Sequence, residues 1–276
     1  MLRAGRIVYT NDLPIYIAFD RGAVRFPGAL VSDVPATLNA WLVAGRLDFS
    51  PVSSFAWAKN HEKLALLPDL CIGSRNEVWS VVCVSKEPLA KLDGVSIATT
   101  KESASGRNLL RVLLERRYGV KANFVEHDDP FTAAAHGTPA MLIGDRAIDA
   151  KLTFTPANVY DLGVEWHAWT GLDMVYAVWA ARKDALSAHR AEIGEAMASM
   201  VASQRWSAEH PEVAIEAAQR AHARPEGFYE SYYETLNFDF DDAAQRGLQR
   251  YVEELHAIGA IDSVPQVIPE VLGVHP

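Results

Sequence analysis

Four times in 276 residues an apolar, β-prone run stops at a short polar turn and gives way to a helical pattern. Arg6-Ile7-Val8-Tyr9 stops at Thr10-Asn11-Asp12, and Pro14, which lacks an N–H, suits the first turn of the helix that follows. Arg46-Leu47-Asp48-Phe49-Ser50 leads through Pro51-Val52-Ser53-Ser54 into Phe55-Ala56-Trp57-Ala58. Val95-Ser96-Ile97-Ala98-Thr99-Thr100 leads through Lys101-Glu102-Ser103-Ala104-Ser105-Gly106 into a helix expected from Arg107 to Tyr118, ended by Gly119. Ala140-Met141-Leu142-Ile143 leads through Gly144-Asp145 into the fourth. Strands alternating with helices predict an α/β fold, whose polar turns gather at the C-terminal edge of the sheet, where such folds hold ligands.

Taken singly, each turn has a plain explanation. Asn11 or Asp12, and Ser103 to Ser105, could serve only as helix N-caps, and Ser80 could face solvent on a connecting strand. The recurrence is what points to a shared site. Composition narrows its ligand. A formal charge of −9 without a basic block argues against nucleic acid or an anionic membrane as partner. A small anion remains open, because helix N-termini bind anions irrespective of the overall charge. Cys71 and Cys83 have no metal or redox spacing and read as buried thiols. No secretory h-region and no run of membrane-spanning length is visible, so a cytoplasmic location is expected.

Val78-Trp79-Ser80-Val81-Val82-Cys83-Val84-Ser85 followed by Lys86-Glu87-Pro88-Leu89 resembles Val175-Tyr176-Ala177-Val178-Trp179-Ala180-Ala181-Arg182 followed by Lys183-Asp184-Ala185-Leu186. Two such strands bracketing an α/β unit predict two lobes, residues 1–85 plus 183–276 and residues 86–182, joined by hinge strands near 79–85 and 175–182. A ligand would lie between them and be buried by hinge closure. Leu64-Ala65-Leu66-Leu67 and Leu70-Cys71-Ile72-Gly73 read as separate strands, and residues 187–259 read as helical with breaks at His210-Pro211, Arg224-Pro225 and Asp239 to Asp242.

Familiar catalytic motifs are absent: no HExxH, P-loop, GxGxxG or GxSxG. Glu126-His127-Asp128-Asp129 is the richest polar cluster and reads as a solvated loop rather than a metal site, so neither metal nor cofactor is expected. What remains are small polar residues at helix starts: Asn11, Ser53, Ser54, Ser80, Ser103, Ala104, Ser105 and Asp145. Trp169, Tyr176 and Trp179 are expected in the core.

Several stretches also carry a resemblance. Tyr9-Thr10-Asn11-Asp12-Leu13-Pro14-Ile15-Tyr16 looks like an aromatic-x-Asn-x-x-Pro-x-Tyr opening. Gly45-Arg46-Leu47-Asp48 through Pro51-Val52-Ser53, then Leu142-Ile143-Gly144-Asp145, Trp169-Thr170-Gly171-Leu172 and Val178-Trp179-Ala180-Ala181-Arg182 follow in order. Together they resemble the chorismate dehydratase family, the first enzyme of the futalosine route to menaquinone. Thr10 departs from that pattern, where the family more often has Leu.

The resemblance implies a periplasmic-binding-protein type II fold and conversion of chorismate, a small dianion, to 3-[(1-carboxyvinyl)oxy]benzoate and water. On that reading Ser103, Ala104 and Ser105 hold one carboxylate, while Ser53, Ser54 and Ser80 bind the other or its ring neighbour. Gly144 is counted among the binding residues. Asn11 hydrogen-bonds the departing hydroxyl or steadies the developing charge, and the base is either Asp145 or the substrate's own enolpyruvyl carboxylate. The alternatives are 1,4-dihydroxy-6-naphthoate synthase and a solute-binding protein without turnover. The first should carry a well-placed histidine, yet His127 and His136 sit at no junction. A regulator's effector domain would need a DNA-binding helix pair, and none is seen.

Overall fold

The computed structural model describes residues 1–100 and 104–273. The expected turn residues Lys101, Glu102 and Ser103 therefore lie outside the described residues. The chain begins with β1 (Arg3–Ile7), α1 (Leu13–Asp20), β2 (Ala29–Asp33), α2 (Pro35–Val43), β3 (Phe49–Ser53), α3 (Ser54–Lys59) and β4 (Leu64–Ser74). It crosses into β5 (Val81–Val84), β6 (Ser96–Thr99), α4 (Ala104–Val112), β7 (Asn123–Glu126), α5 (Pro130–Ala135), β8 (Ala140–Ile143), α6 (Gly144–Thr153), β9 (Val159–Asp161) and α7 (Leu162–Thr170). It returns as β10 (Met174–Arg182), α8 (Lys183–Glu209, kinked at His189), α9 (Pro211–Ala221), α10 (Phe228–Thr235), β11 (Leu236–Asp239) and α11 (Asp242–Ala257).

Two sheets result. One has six strands in the order β11-β4-β10-β3-β1-β2, the other five in the order β7-β6-β8-β5-β9. Within the first, β1 pairs in parallel with β2 and β3, while β10 runs antiparallel between β3 and β4. A strand covered on both faces needs an unbroken apolar run, and Met174-Val175-Tyr176-Ala177-Val178-Trp179-Ala180-Ala181 supplies it. Trp179 is fully buried there, and so is Trp166 of α7. Val81–Val84 lies inside the five-stranded sheet and Met174–Arg182 inside the six-stranded one, so the chain changes sheets within residues 75–80 and 171–173.

Several local expectations change. Residues 64–67 and 70–73 belong to one strand, β4, carried through an irregularity at Pro68-Asp69. Pro68 offers no donor and Asp69 adopts φ 72°, so the strand bulges instead of ending. The helix from Ala104 widens into a π-helical turn at Leu113–Arg117. Residues 187–259 are not helical throughout. Leu236-Asn237-Phe238-Asp239 pairs with the edge of β4, where the waiting backbone groups outweigh local propensity. The second crossing is clamped by α11: a Cβ on Gly247 would stand 2.0 Å from the Asp173 carbonyl oxygen, so only glycine fits. Cys71 and Cys83 are buried free thiols. No helix among the described residues is long and apolar enough to cross a membrane.

Candidate functional site

Strand ends from both sheets face one another across a cavity enclosing ≈ 690 Å³ of unfilled space, its mouth included. All four polar junctions contribute: Asn11 from the first, Ser53 from the second, Ala104, Ser105 and Gly106 from the third, Ile143 and Gly144 from the fourth. Ser80, Val78 and Val81 line it from the first crossing, and Ile72, Tyr176 and Ala177 from the floor of the six-stranded sheet.

The first junction folds as a single 3-10 turn, Thr10–Asp12. Neither Asn11 nor Asp12 caps α1 with its side chain. Asp12 turns back instead, its Oδ2 accepting the Ile7 N–H at 3.2 Å while its own N–H donates to the Tyr9 carbonyl at 3.1 Å. Asn11, beside it, lines the cavity, with its Oδ1 buried and unpartnered among the described residues. A buried amide oxygen without a donor is costly unless a ligand or water satisfies it. Asp12 is 1% exposed. Burial pushes its carboxyl up to about 7, against the opposing pull of Arg6 and the Ile7 N–H. Arg6 is itself held by Asp20, through two hydrogen bonds of 2.6 Å.

At the second junction two adjacent serines diverge. Ser53 Oγ accepts the Ala56 N–H at 3.0 Å as the N-cap of α3, and Ser53 lines the cavity. Ser54 Oγ donates to the Val175 carbonyl at 2.7 Å and is wholly buried beneath the sheet, away from the cavity lining. At the third, Ser105 Oγ accepts the Phe55 N–H at 3.2 Å, and its carbonyl accepts the Tyr251 hydroxyl at 2.9 Å. At the fourth, Gly144 takes φ 59° and donates its N–H to the Ser80 carbonyl at 2.8 Å. A Cβ there would meet the Tyr9 ring no closer than 3.8 Å, so backbone conformation, not space, calls for glycine. Ser80 Oγ donates to the Val78 carbonyl at 3.3 Å.

The structure thus brings Asn11, Ser53, Ser80, Ala104, Ser105 and Gly144 to one cavity. Asp145 stands apart. It lines a neighbouring opening with Thr100, Glu126, His127, Asp128, Asp129 and Arg146, and Tyr9 and Ile143 are shared by the two spaces. Among the described residues the cavity lining includes no charged side chain. Positive potential comes instead from backbone dipoles: the N-terminal turns of α2, at Pro35, of α4 and of α6 all reach its wall. No group of three or more His, Cys, Asp or Glu among the described residues is placed to hold a metal ion.

Sequence reasoning missed Pro35 and set Tyr176 in the core. Ser32-Asp33-Val34-Pro35 is a fifth strand–turn–helix junction, visible in the chain by the same signal as the other four. Tyr176 does sit in the central strand, but its buried hydroxyl makes no well-formed hydrogen bond among the described residues and its ring borders the cavity. A lone phenol in an otherwise apolar central strand was the available signal.

Known proteins place this geometry. A protein from Archaeoglobus fulgidus of known crystal structure superposes with a TM-score of 0.74 at 20% identity, covering 94% of this chain and 98% of that one. The periplasmic aliphatic sulphonate binding protein SsuA from Escherichia coli superposes with a TM-score of 0.67 at 15% identity, covering 96% of this chain and 90% of its own. The fold is accordingly the two-lobed, periplasmic-binding-protein-like α/β fold. In sequence, the chain is 32% identical to chorismate dehydratase from Thermus thermophilus over 166 residues, 55% of this chain and 60% of that enzyme. It is 25% identical over 289 residues to 1,4-dihydroxy-6-naphtoate synthase from the same organism, 96% of this chain and 97% of that enzyme. The sequence pattern of one family, described as menaquinone biosynthesis, matches residues 2–257. With nearly its whole length inside that match, the chain belongs to the menaquinone biosynthesis family.

Proposed function

We propose that the protein is a hydro-lyase that converts chorismate to 3-[(1-carboxyvinyl)oxy]benzoate and water. The observation that carries the reading is Asn11: an amide with an unpartnered buried oxygen, on the lining of a cavity ringed by helix N-termini and free of side-chain charge among the described residues. The curated relative named chorismate dehydratase supports it.

The chemistry asks little of acid–base side chains. The C3–H bond of chorismate breaks and its electron pair spreads into the diene and ring carboxylate. The C4–O bond then breaks, hydroxide leaves with the abstracted proton as water, and the ring becomes aromatic. Aromatisation makes the sequence downhill, so the protein's part is to position and desolvate the dianion. The amide of Asn11 hydrogen-bonds the departing hydroxyl, its orphaned Oδ1 accepting that O–H. Its nitrogen is no base near neutral pH, and the proton is taken by the substrate's own enolpyruvyl carboxylate. The start of α4, at Ala104 and Ser105, holds one carboxylate through N–H and hydroxyl donors, and Ser53, Ser80 and the Gly144 turn hold the other end. Residues 75–80 and 171–173 are the hinge about which the lobes shut on the ligand.

The 1,4-dihydroxy-6-naphtoate synthase reading has longer sequence coverage in its favour but offers no base in the cavity, since no histidine lines it among the described residues. Purified protein is mixed with chorismate and followed for a 3-substituted benzoate by absorbance and mass. Conversion by wild type, lost in Asn11→Ala with substrate binding retained, is the expected result. Chorismate left intact by wild type removes the proposal.

A further inference from the structure

The carboxylate of Asp145 is where three separate stretches of chain meet. Thr10 Oγ1 donates to its Oδ1 at 3.2 Å, His222 Nε2 stands 3.4 Å from its Oδ2, and Arg224 Nη2 stands 3.8 Å from its Oδ1. Thr10 follows β1 of the six-stranded sheet, whereas Asp145 follows β8 of the five-stranded one. His222 and Arg224 follow α9, which packs on α1. The contact therefore spans the cleft, 135 residues apart in sequence, immediately beside Asn11.

Both ends are braced. The Thr10 carbonyl accepts the Tyr233 hydroxyl at 3.0 Å. Arg224 is fixed through its backbone N–H, which donates to Gln219 Oε1 at 2.8 Å, and its guanidinium also bonds Asp149, one turn along α6. Thr10 is 5% exposed, and the side chains of Asp145 and Arg224 are 16% and 11% exposed. A carboxylate turned toward a hydroxyl, an imidazole and a guanidinium is committed to those groups and is poorly placed to take a substrate proton. Its place on the neighbouring opening, outside the reaction cavity, agrees with that.

We propose that Asp145 is a positioning residue: anchored by Arg224 and His222, it holds the Thr10 hydroxyl across the cleft and so fixes the turn that carries Asn11 on the cavity lining. The link to turnover rests on the reading of Asn11 given above. Parting the two sheets must break the Thr10–Asp145 bond, so the Asn11 turn is fully constrained only with the cleft shut.

The test compares Thr10→Val, which keeps the shape and removes the donor, with Thr10→Ser, which restores it, and with Asp145→Ala, which removes the acceptor, all in the full chain. Ligand-free hydrogen–deuterium exchange is read over residues 9–13, and kcat and KM are measured with chorismate. Thr10→Val and Asp145→Ala are expected to speed exchange in that turn by about tenfold while β1 and α1 stay protected. In the same variants kcat falls by about tenfold or more with KM held within roughly threefold, as misplacement of a reacting group predicts. Thr10→Ser recovers both. The proposal is overturned by unchanged exchange in Thr10→Val, by loosening spread over β1 and α1 as a whole, or by failure of Thr10→Ser to recover. If wild type leaves chorismate untouched, the proposed reaction fails by itself and the exchange measurement alone decides the role of Asp145.

Discussion

The backbone N–H of Phe55 donates to the Ser105 hydroxyl at 3.2 Å, tying the first turn of α3 to the first turn of α4 across 50 residues of chain. One small side chain thereby borders the cavity and joins the two halves that enclose it. Ser105→Ala removes the acceptor and leaves the Phe55 amide without its partner. We expect a loss of about 1 kcal/mol of stability, the usual net value of such a bond. A rise in KM for chorismate accompanies it, out of proportion to any change in kcat. Urea unfolding and steady-state kinetics on the one variant check both, and an unchanged KM removes Ser105 from the binding wall.

Asp12 supplies a pH signature. Burial opposes the charge and pushes the folded carboxyl up to about 7, against about 4 for an aspartate in an unfolded chain. Between these values the folded protein holds a proton that the unfolded chain has lost, so stability falls as pH rises through this window. The loss is complete above about pH 7 and is on the order of a few kcal/mol. Asp12→Asn abolishes this slope and leaves the variant more stable than wild type at pH 8. Urea midpoints for the pair at intervals from pH 4 to 8 show it, and parallel curves would refute it.

Gly144 is held at φ 59° by its hydrogen bond to the Ser80 carbonyl. An alanine there meets no clash, so the cost is purely conformational, about 1–2 kcal/mol. Gly144→Ala should lower the melting temperature, and it should depress kcat/KM because the α6 terminus and the Ser80 segment move together. A variant of full stability and full activity would mean that the turn has another conformation open to it.

What could be read in the linear chain, and what could not, divides along physical lines. A strand that breaks at a polar turn and re-forms as a helix is a local event. The four junctions were visible for that reason, and with them the α/β architecture. Ser53 and Ser54 are alike as neighbours in sequence. Only the handover from extended to helical backbone sends the first toward the cavity and the second beneath it to Val175. Asp145 looked like a possible base because nothing near it in sequence announces Arg224, 79 residues on. The strand Leu236–Asp239 is short and becomes one because the edge of β4 is there to receive it. In each case the missing information was a partner distant in sequence.

The wall of the cavity is uncharged among the described residues, and that has an evolutionary consequence. Any attraction that arises from peptide groups at the ends of α2, α4 and α6 belongs to the main chain, and few substitutions other than to proline can delete an N–H there. On the proposed reading, drift at this site reshapes the contour that distinguishes one anion from another, while the pull on negative charge is inherited with the fold.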